Sequence, residues 1–107
     1  MGLNLKLRQR YLIENDKGYT TWSVGESVCP WPVGKTALLL CDIWDKHWSR
    51  GAVERLDLML PRMESVVQSL RGKGVQIIHA PSDTMDFYVG SAARARAQEA
   101  PQVSPPT

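Results

Sequence analysis

Two short segments hold most of the side chains able to do chemistry. Asp42, Trp44, Asp45, His47 and Trp48 follow the apolar stretch Ala37–Cys41, while His79, Ser82, Asp83 and Asp86 begin where a second apolar stretch, residues 75–79, ends. Carboxylates exchange protons, imidazoles do so near neutral pH or bind metal, and indole rings cover small planar ligands. Asp42 also has a plain structural reading, because a short carboxylate after a strand caps the amides of the turn that follows. The chemistry therefore depends on whether the chain brings the two segments together.

The intervening pattern says that it does. Residues 36–41 have no polar alternation, as in a strand buried on both faces of a parallel sheet between helices, and Asp42 ends it. Val53, Leu56, Leu60, Met63, Val67 and Leu70 recur in steps of three and four, which is one face of a helix stopped by Gly72 and Gly74. Pro61 lies inside that stretch, so either the helix kinks there or one helix ends at Leu60 and Pro61 begins another. Residues 75–79 form the second strand. Strand, helix and strand in this order make the crossover unit of α/β proteins, whose ligands gather beyond the carboxyl ends of the strands. Asp42 and His79 should thus lie on one edge of the sheet.

The flanking segments read differently. Leu3, Leu5 and Leu7 alternate with Asn4, Lys6 and Arg8, the period of a half-buried strand. Turn chemistry follows at Asn15-Asp16-Lys17-Gly18, and Pro30 and Pro32 mark a linker into the core. Trp22 and Trp31 are expected to cover apolar surface. Ser91 caps a short helix over the alanine-rich residues 92–100, which Pro101 ends. The organisation is then an extended arm and linker over 1–35, an α/β unit over 36–100 and a mobile tail over 101–107. Two strands leave both sheet edges open, so the unit is expected to be incomplete, its further strands coming from the arm, another subunit or a continuation of the chain.

Composition bounds the partners. The 107 residues suit one domain, and 13 basic against 11 acidic side chains give a net charge of +2, too little field for nucleic acid or an anionic membrane. The longest purely apolar run is Ala37–Cys41, far short of the ~20 residues that cross a bilayer. The first residues carry charge where a signal peptide would be apolar, and Lys6 stands where myristoylation wants Ser or Thr. Cys29 and Cys41 make no disulfide framework, so reduced thiols in a cytoplasm are expected.

Thr36-Ala-Leu-Leu-Leu-Cys-Asp-Ile-Trp44, an amphipathic helix, then Leu70-Arg-Gly-Lys-Gly-Val-Gln-Ile-Ile-His79 resembles the opening of the isochorismatase-like cysteine hydrolases, the group containing nicotinamidases. Cys41-Asp-Ile-Trp-Asp-Lys-His-Trp48 is similar to a nicotinamidase-related branch in which the family's usual Met-Gln and Asn-Asp-Phe are replaced. The likeness covers residues 36–100. It implies a Rossmann-like three-layer α/β fold, a small-molecule substrate and hydrolysis of a small amide or related C–N bond through a cysteine thioester. Family members use an aspartate, a lysine and a cysteine. Asp42 matches the aspartate, and its place at the mouth of a buried strand is expected to desolvate it and raise its proton affinity. The lysine and cysteine normally follow later strands, and this chain has none there. Cys29 precedes the first strand, strand alternation points Cys41 away from Asp42, and Lys46 and Lys73 sit in other elements.

Asp42 is accordingly the catalytic candidate, with Trp44, His47, Trp48, His79 and Asp83 as substrate-binding candidates. No metal ligands are assigned. Nicotinamidases can hold a divalent ion such as Zn²⁺ through an Asp-x-His pattern beyond the second strand, but Met85 stands where the histidine would follow Asp83. Asp45 and His47 have that spacing after the first strand instead. Val33-Gly-Lys-Thr36 echoes a phosphate-binding loop, yet Cys29 replaces its first glycine and a strand follows. Two functions stand: the N-terminal portion of such a hydrolase, inactive alone, or a non-catalytic α/β interaction module. The partner is either further copies of the chain or the missing C-terminal half.

Overall fold

The computed structural model describes residues 2–107, in which two antiparallel strands, β1 (Gly2–Glu14) and β2 (Thr20–Pro32), precede β3 (Ala37–Cys41), α1 (Arg50–Gly72), β4 (Gln76–Ala80) and α2 (Ala92–Glu99). Single 3₁₀ turns occupy Val33–Lys35 and Met85–Tyr88. The strands form two separate two-stranded sheets, β1–β2 and β3–β4. Among the described residues no helix is long and apolar enough to cross a membrane.

β3 and β4 are parallel, in a register that runs from Ala37 beside Gln76 to Cys41 beside Ala80. The periodic stretch is one continuous α1 with Pro61 inside it, resolving the two alternatives left by the sequence. Pro61 is exposed, so the carbonyl deprived of its helical partner can turn to water. At the other end, Gly74 takes φ +87°, its N–H donates to Arg71 C=O at 3.0 Å and Val75 N–H donates to Leu70 C=O at 3.0 Å. That paired closure requires the left-handed residue glycine supplies most readily, and it turns the chain directly into β4. The predicted serine cap is present as well, with Arg94 N–H donating to Ser91 Oγ at 3.1 Å.

Burial corrects the expectation that β3 is covered on both faces. Leu38, Leu40 and Ile77 are half-buried, whereas Leu39 is 58% exposed and Ile78 beside it is also exposed. The strand is uniformly apolar, but a two-stranded sheet packed chiefly against α1 leaves one face uncovered. Among the described residues the buried apolar side chains are Leu3, Val67 and Val75, each keeping a trace of exposure.

The arm is also more ordered than expected. It folds back on itself as a hairpin whose strands have 13 residues each, continuing through the segment read as a linker. Asn15 organises the reversal: its Oδ1 accepts from the N–H groups of Lys17 and Tyr19, both at 3.0 Å, and Gly18 adopts φ +75°. Asn15 N–H donates to Tyr19 C=O at 2.9 Å, and the ladder keeps one register from Glu14 beside Thr20 to Gly2 beside Pro32. Counting along it in twos places Pro30 and Pro32 on rungs whose N–H would face outward, so neither removes a hairpin hydrogen bond. The hairpin adds no strand to the parallel sheet. It extends the molecule to 63 × 38 × 36 Å with a radius of gyration of 19.3 Å, against about 13 Å for a compact chain of ~100 residues. Trp22, expected to cover apolar surface, is therefore 62% exposed, and Trp31 is exposed too.

Candidate functional site

The parallel register delivers Asp42 and His79 to the same, carboxyl edge of the β3–β4 sheet, as the crossover pattern predicts. Asp42 N–H still donates to Ala80 C=O at 3.2 Å, after which the backbone breaks from strand geometry, with Asp42 at φ +55°. Aspartate is among the few non-glycine residues that tolerate this region. The turn redirects its side chain. Ser82, just beyond β4, donates to Asp42 Oδ1 twice, from its hydroxyl at 2.7 Å and its N–H at 2.8 Å. Trp44 Nε1–H donates to Ser82 C=O at 3.3 Å. The loops after the two strands are thereby tied together through one serine.

Two expectations about Asp42 are overturned. Strand alternation was expected to separate Cys41 from it, yet the left-handed turn brings the Cys41 thiol to 3.8 Å from Asp42 Oδ2, to which it donates. Desolvation was expected to raise its proton affinity. Instead the Ser82 hydroxyl, followed by the Ser82 N–H, holds the carboxyl below its ordinary range; the Cys41 thiol acts in the same direction and desolvation only partly opposes them. The carboxylate is exposed, so burial has little hold on it. At neutral pH it is ionised and accepts hydrogen bonds.

Because folding lowers this pKa, the carboxylate favours the folded state at neutral pH, and that contribution is lost as pH falls through the folded value. Ser82→Ala removes the largest lowering contribution. Asp42 should then titrate at higher pH, measured from its carboxyl carbon by NMR, and an unchanged midpoint would assign the shift to another cause.

His47 lies between two indoles. Its ring stacks on Trp44 with centroids 5.2 Å apart and planes 11° from parallel, and it meets Trp48 at 4.9 Å and 33°. Ser49 N–H donates to His47 Nδ1 at 3.0 Å, which leaves the neutral ring's proton on Nε2. Asp42, Trp44, Lys46, His47, Leu56 and Met59 line a cavity of about 220 Å³ at the start of α1. That is below the ~300 Å³ at which pockets for drug-sized ligands begin, so it suits a small molecule.

The remaining sequence candidates sit elsewhere. His79 shares the sheet edge but lines a second cavity, of about 460 Å³, between β4 and α2 with Ile77, Met85, Tyr88 and Arg94. Trp48 is 92% exposed beyond the His47 ring, and Asp83 is exposed at φ +57°. The structure thus brings Asp42, Trp44 and His47 together and leaves Trp48, His79 and Asp83 outside their cavity. Ser82, named with the chemistry-bearing residues, and Lys46, set aside as the family lysine, were given no site role from the sequence. A hydroxyl one turn beyond the second strand, opposite an aspartate beyond the first, was the available signal for Ser82.

Among the described residues no three His, Cys, Asp or Glu side chains converge as a metal site. Cys29 and Cys41 are both free thiols. No family model matches the chain, and comparison with curated proteins and with solved structures finds no match.

Proposed function

We propose that this chain forms the N-terminal part of an isochorismatase-like, Rossmann-type hydrolase acting on a small amide or related C–N bond, with Asp42 as its proton-transfer carboxylate. The observation that carries the reading is the clasp across the sheet edge, in which Ser82 from beyond β4 orients the Asp42 carboxylate beyond β3. A carboxylate held in one orientation beside a small cavity, with Trp44 and His47 stacked at its wall, suits a planar amide substrate. In this scheme a cysteine thiol gives its proton to Asp42 and attacks the amide carbonyl. The C–N bond breaks, the amine departs with the proton, and water hydrolyses the thioester. The resemblance assigns the nucleophile and its lysine to strands later than β4, and the scheme uses no cofactor.

The second reading, a non-catalytic α/β interaction module, is favoured by the same carboxylate's exposure and low proton affinity, which suit a structural clasp. Titration with nicotinamide separates the two. Under the hydrolase reading the Trp44 indole, His47 ring and Ser82 amide resonances shift together in NMR spectra, and Asp42→Asn weakens the response. Shifts confined to other residues, or none up to the amide's solubility, would leave the module.

A further inference from the structure

The hairpin carries an interaction surface that the hydrolase reading does not use. Residues with even numbers in β2 direct their N–H and C=O groups away from β1, because the hydrogen-bonded rungs of the hairpin fall on odd numbers. From Thr20 to Val28 this outer edge is complete. Beyond it Pro30 and Pro32 have no N–H to offer, which blunts the base of the strand.

The two outer edges of the hairpin are not equivalent. β1 presents Lys6, Arg8 and Arg10 on successive outward rungs, so pairing it with another β1 along its full length sets Lys6 against Arg10 and Arg8 against itself. Like charges directly opposite are unfavourable. β2 carries one charge, Glu26, and is otherwise built of Thr, Trp, Ser, Val and Gly before its cysteine and prolines. The geometry points to a second copy of this chain as the occupant of the β2 edge, joined antiparallel about a two-fold axis through Val24.

That register alone uses the whole free edge and stops before the prolines. Thr20 meets Val28 of the copy, Trp22 meets Glu26 and Val24 meets its own counterpart. The two Glu26 side chains lie about 14 Å apart along the strands, beyond the Debye length of about 8 Å at physiological salt. Val24 lies beside its counterpart and Trp22 lies diagonally beside the copy's Val24, so side chains exposed in the single chain share one face of a four-stranded sheet. A two-stranded ribbon is marginal by itself, and four strands are self-supporting.

The test is disulfide trapping in the 107-residue chain carrying Cys29→Ser and Cys41→Ser. Opposed residues on a hydrogen-bonded antiparallel rung have Cα atoms roughly 5.5 Å apart, within disulfide reach. Val24→Cys should therefore convert to a covalent dimer under mild oxidation. Leu12→Cys is the matched control, since Leu12 and Val24 are both 58% exposed and Leu12 lies on an outward rung of β1. It should stay monomeric on denaturing gels. Val24→Pro, which removes an outward N–H as Pro30 and Pro32 already do, should halve the sedimenting mass while the amide spectrum of β1 persists. Equal trapping at the two positions, a monomer before substitution, or an oligomer untouched by Val24→Pro would overturn the proposal. None of these outcomes depends on nicotinamide binding, so the interface and the hydrolase reading fail separately.

Discussion

Val67→Asp is expected to abolish the folded β3–α1–β4 unit. Val67 lies on the α1 face whose spacing runs through Val53, Leu56, Met63 and Leu70, and with Val75 it is one of the two buried apolar side chains described in that unit. No polar or charged side chain is buried anywhere among the described residues, so the new carboxylate would find no buried partner. An unpaired buried charge costs several kcal/mol, while whole domains are stable by about 5–15 kcal/mol and small cores by less. Val67→Ala, which removes about two methylene equivalents, should cost only about 1.5 kcal/mol and leave the unit folded. Amide hydrogen exchange at Leu38, Leu40 and Ile77 reads the difference. The aspartate variant should lose their protection while the β1–β2 ladder, closed within residues 2–32, keeps its own. Retained protection at Leu40 would mean that α1 is not held through this face.

How much of this was legible in the sequence follows from what each pattern encodes. The spacing of apolar residues in α1, the glycine exit at Gly74 and the serine cap at Ser91 depend on local backbone chemistry, and all three are present. The parallel pairing of residues 37–41 with 76–80 follows from the crossover, which is why Asp42 and His79 could be placed on one edge. Burial is different, since Leu39 is as apolar as Leu38 and only the covering layer distinguishes them. The hairpin stayed hidden because Pro30 and Pro32 ordinarily break strands; they survive on outward rungs, a fact set by the register from Asn15 onward. At the site, the strand and crossover pattern placed the carboxylate on the sheet edge, but the environment expected for it was wrong. One left-handed residue reverses the relation of Cys41 to Asp42 and turns the carboxylate toward Ser82, and alternation rules end where strand geometry ends.

That reversal sharpens the second large effect. The 107-residue chain alone is expected to release no ammonia from nicotinamide or any other small amide. The proposed hydrolase reading assigns the nucleophile to a later strand, and loss of a nucleophile from a catalytic set that acts as a unit costs on the order of 10⁶-fold, which the remaining members cannot restore. The one thiol beside Asp42 is Cys41, and its partner is a carboxylate. That setting is not the electropositive one in which nucleophilic cysteines are found. Asp42, held below the ordinary carboxylate range by Ser82, is also a weaker base toward that thiol than a free carboxylate would be. The assay therefore compares the unaltered chain with Asp42→Asn and with Cys41→Ser. Ammonia release that survives purification and disappears in both variants would make Cys41 and Asp42 a working pair and refute the assignment of the nucleophile to a later strand. Release that persists in both would come from neither residue. If turnover arises only when a C-terminal segment bearing a lysine and a cysteine is joined to the chain, Asp42→Asn should abolish it, and Ser82→Ala should move the acid limb of its pH profile upward as the Asp42 carboxyl loses the hydroxyl that lowers it most.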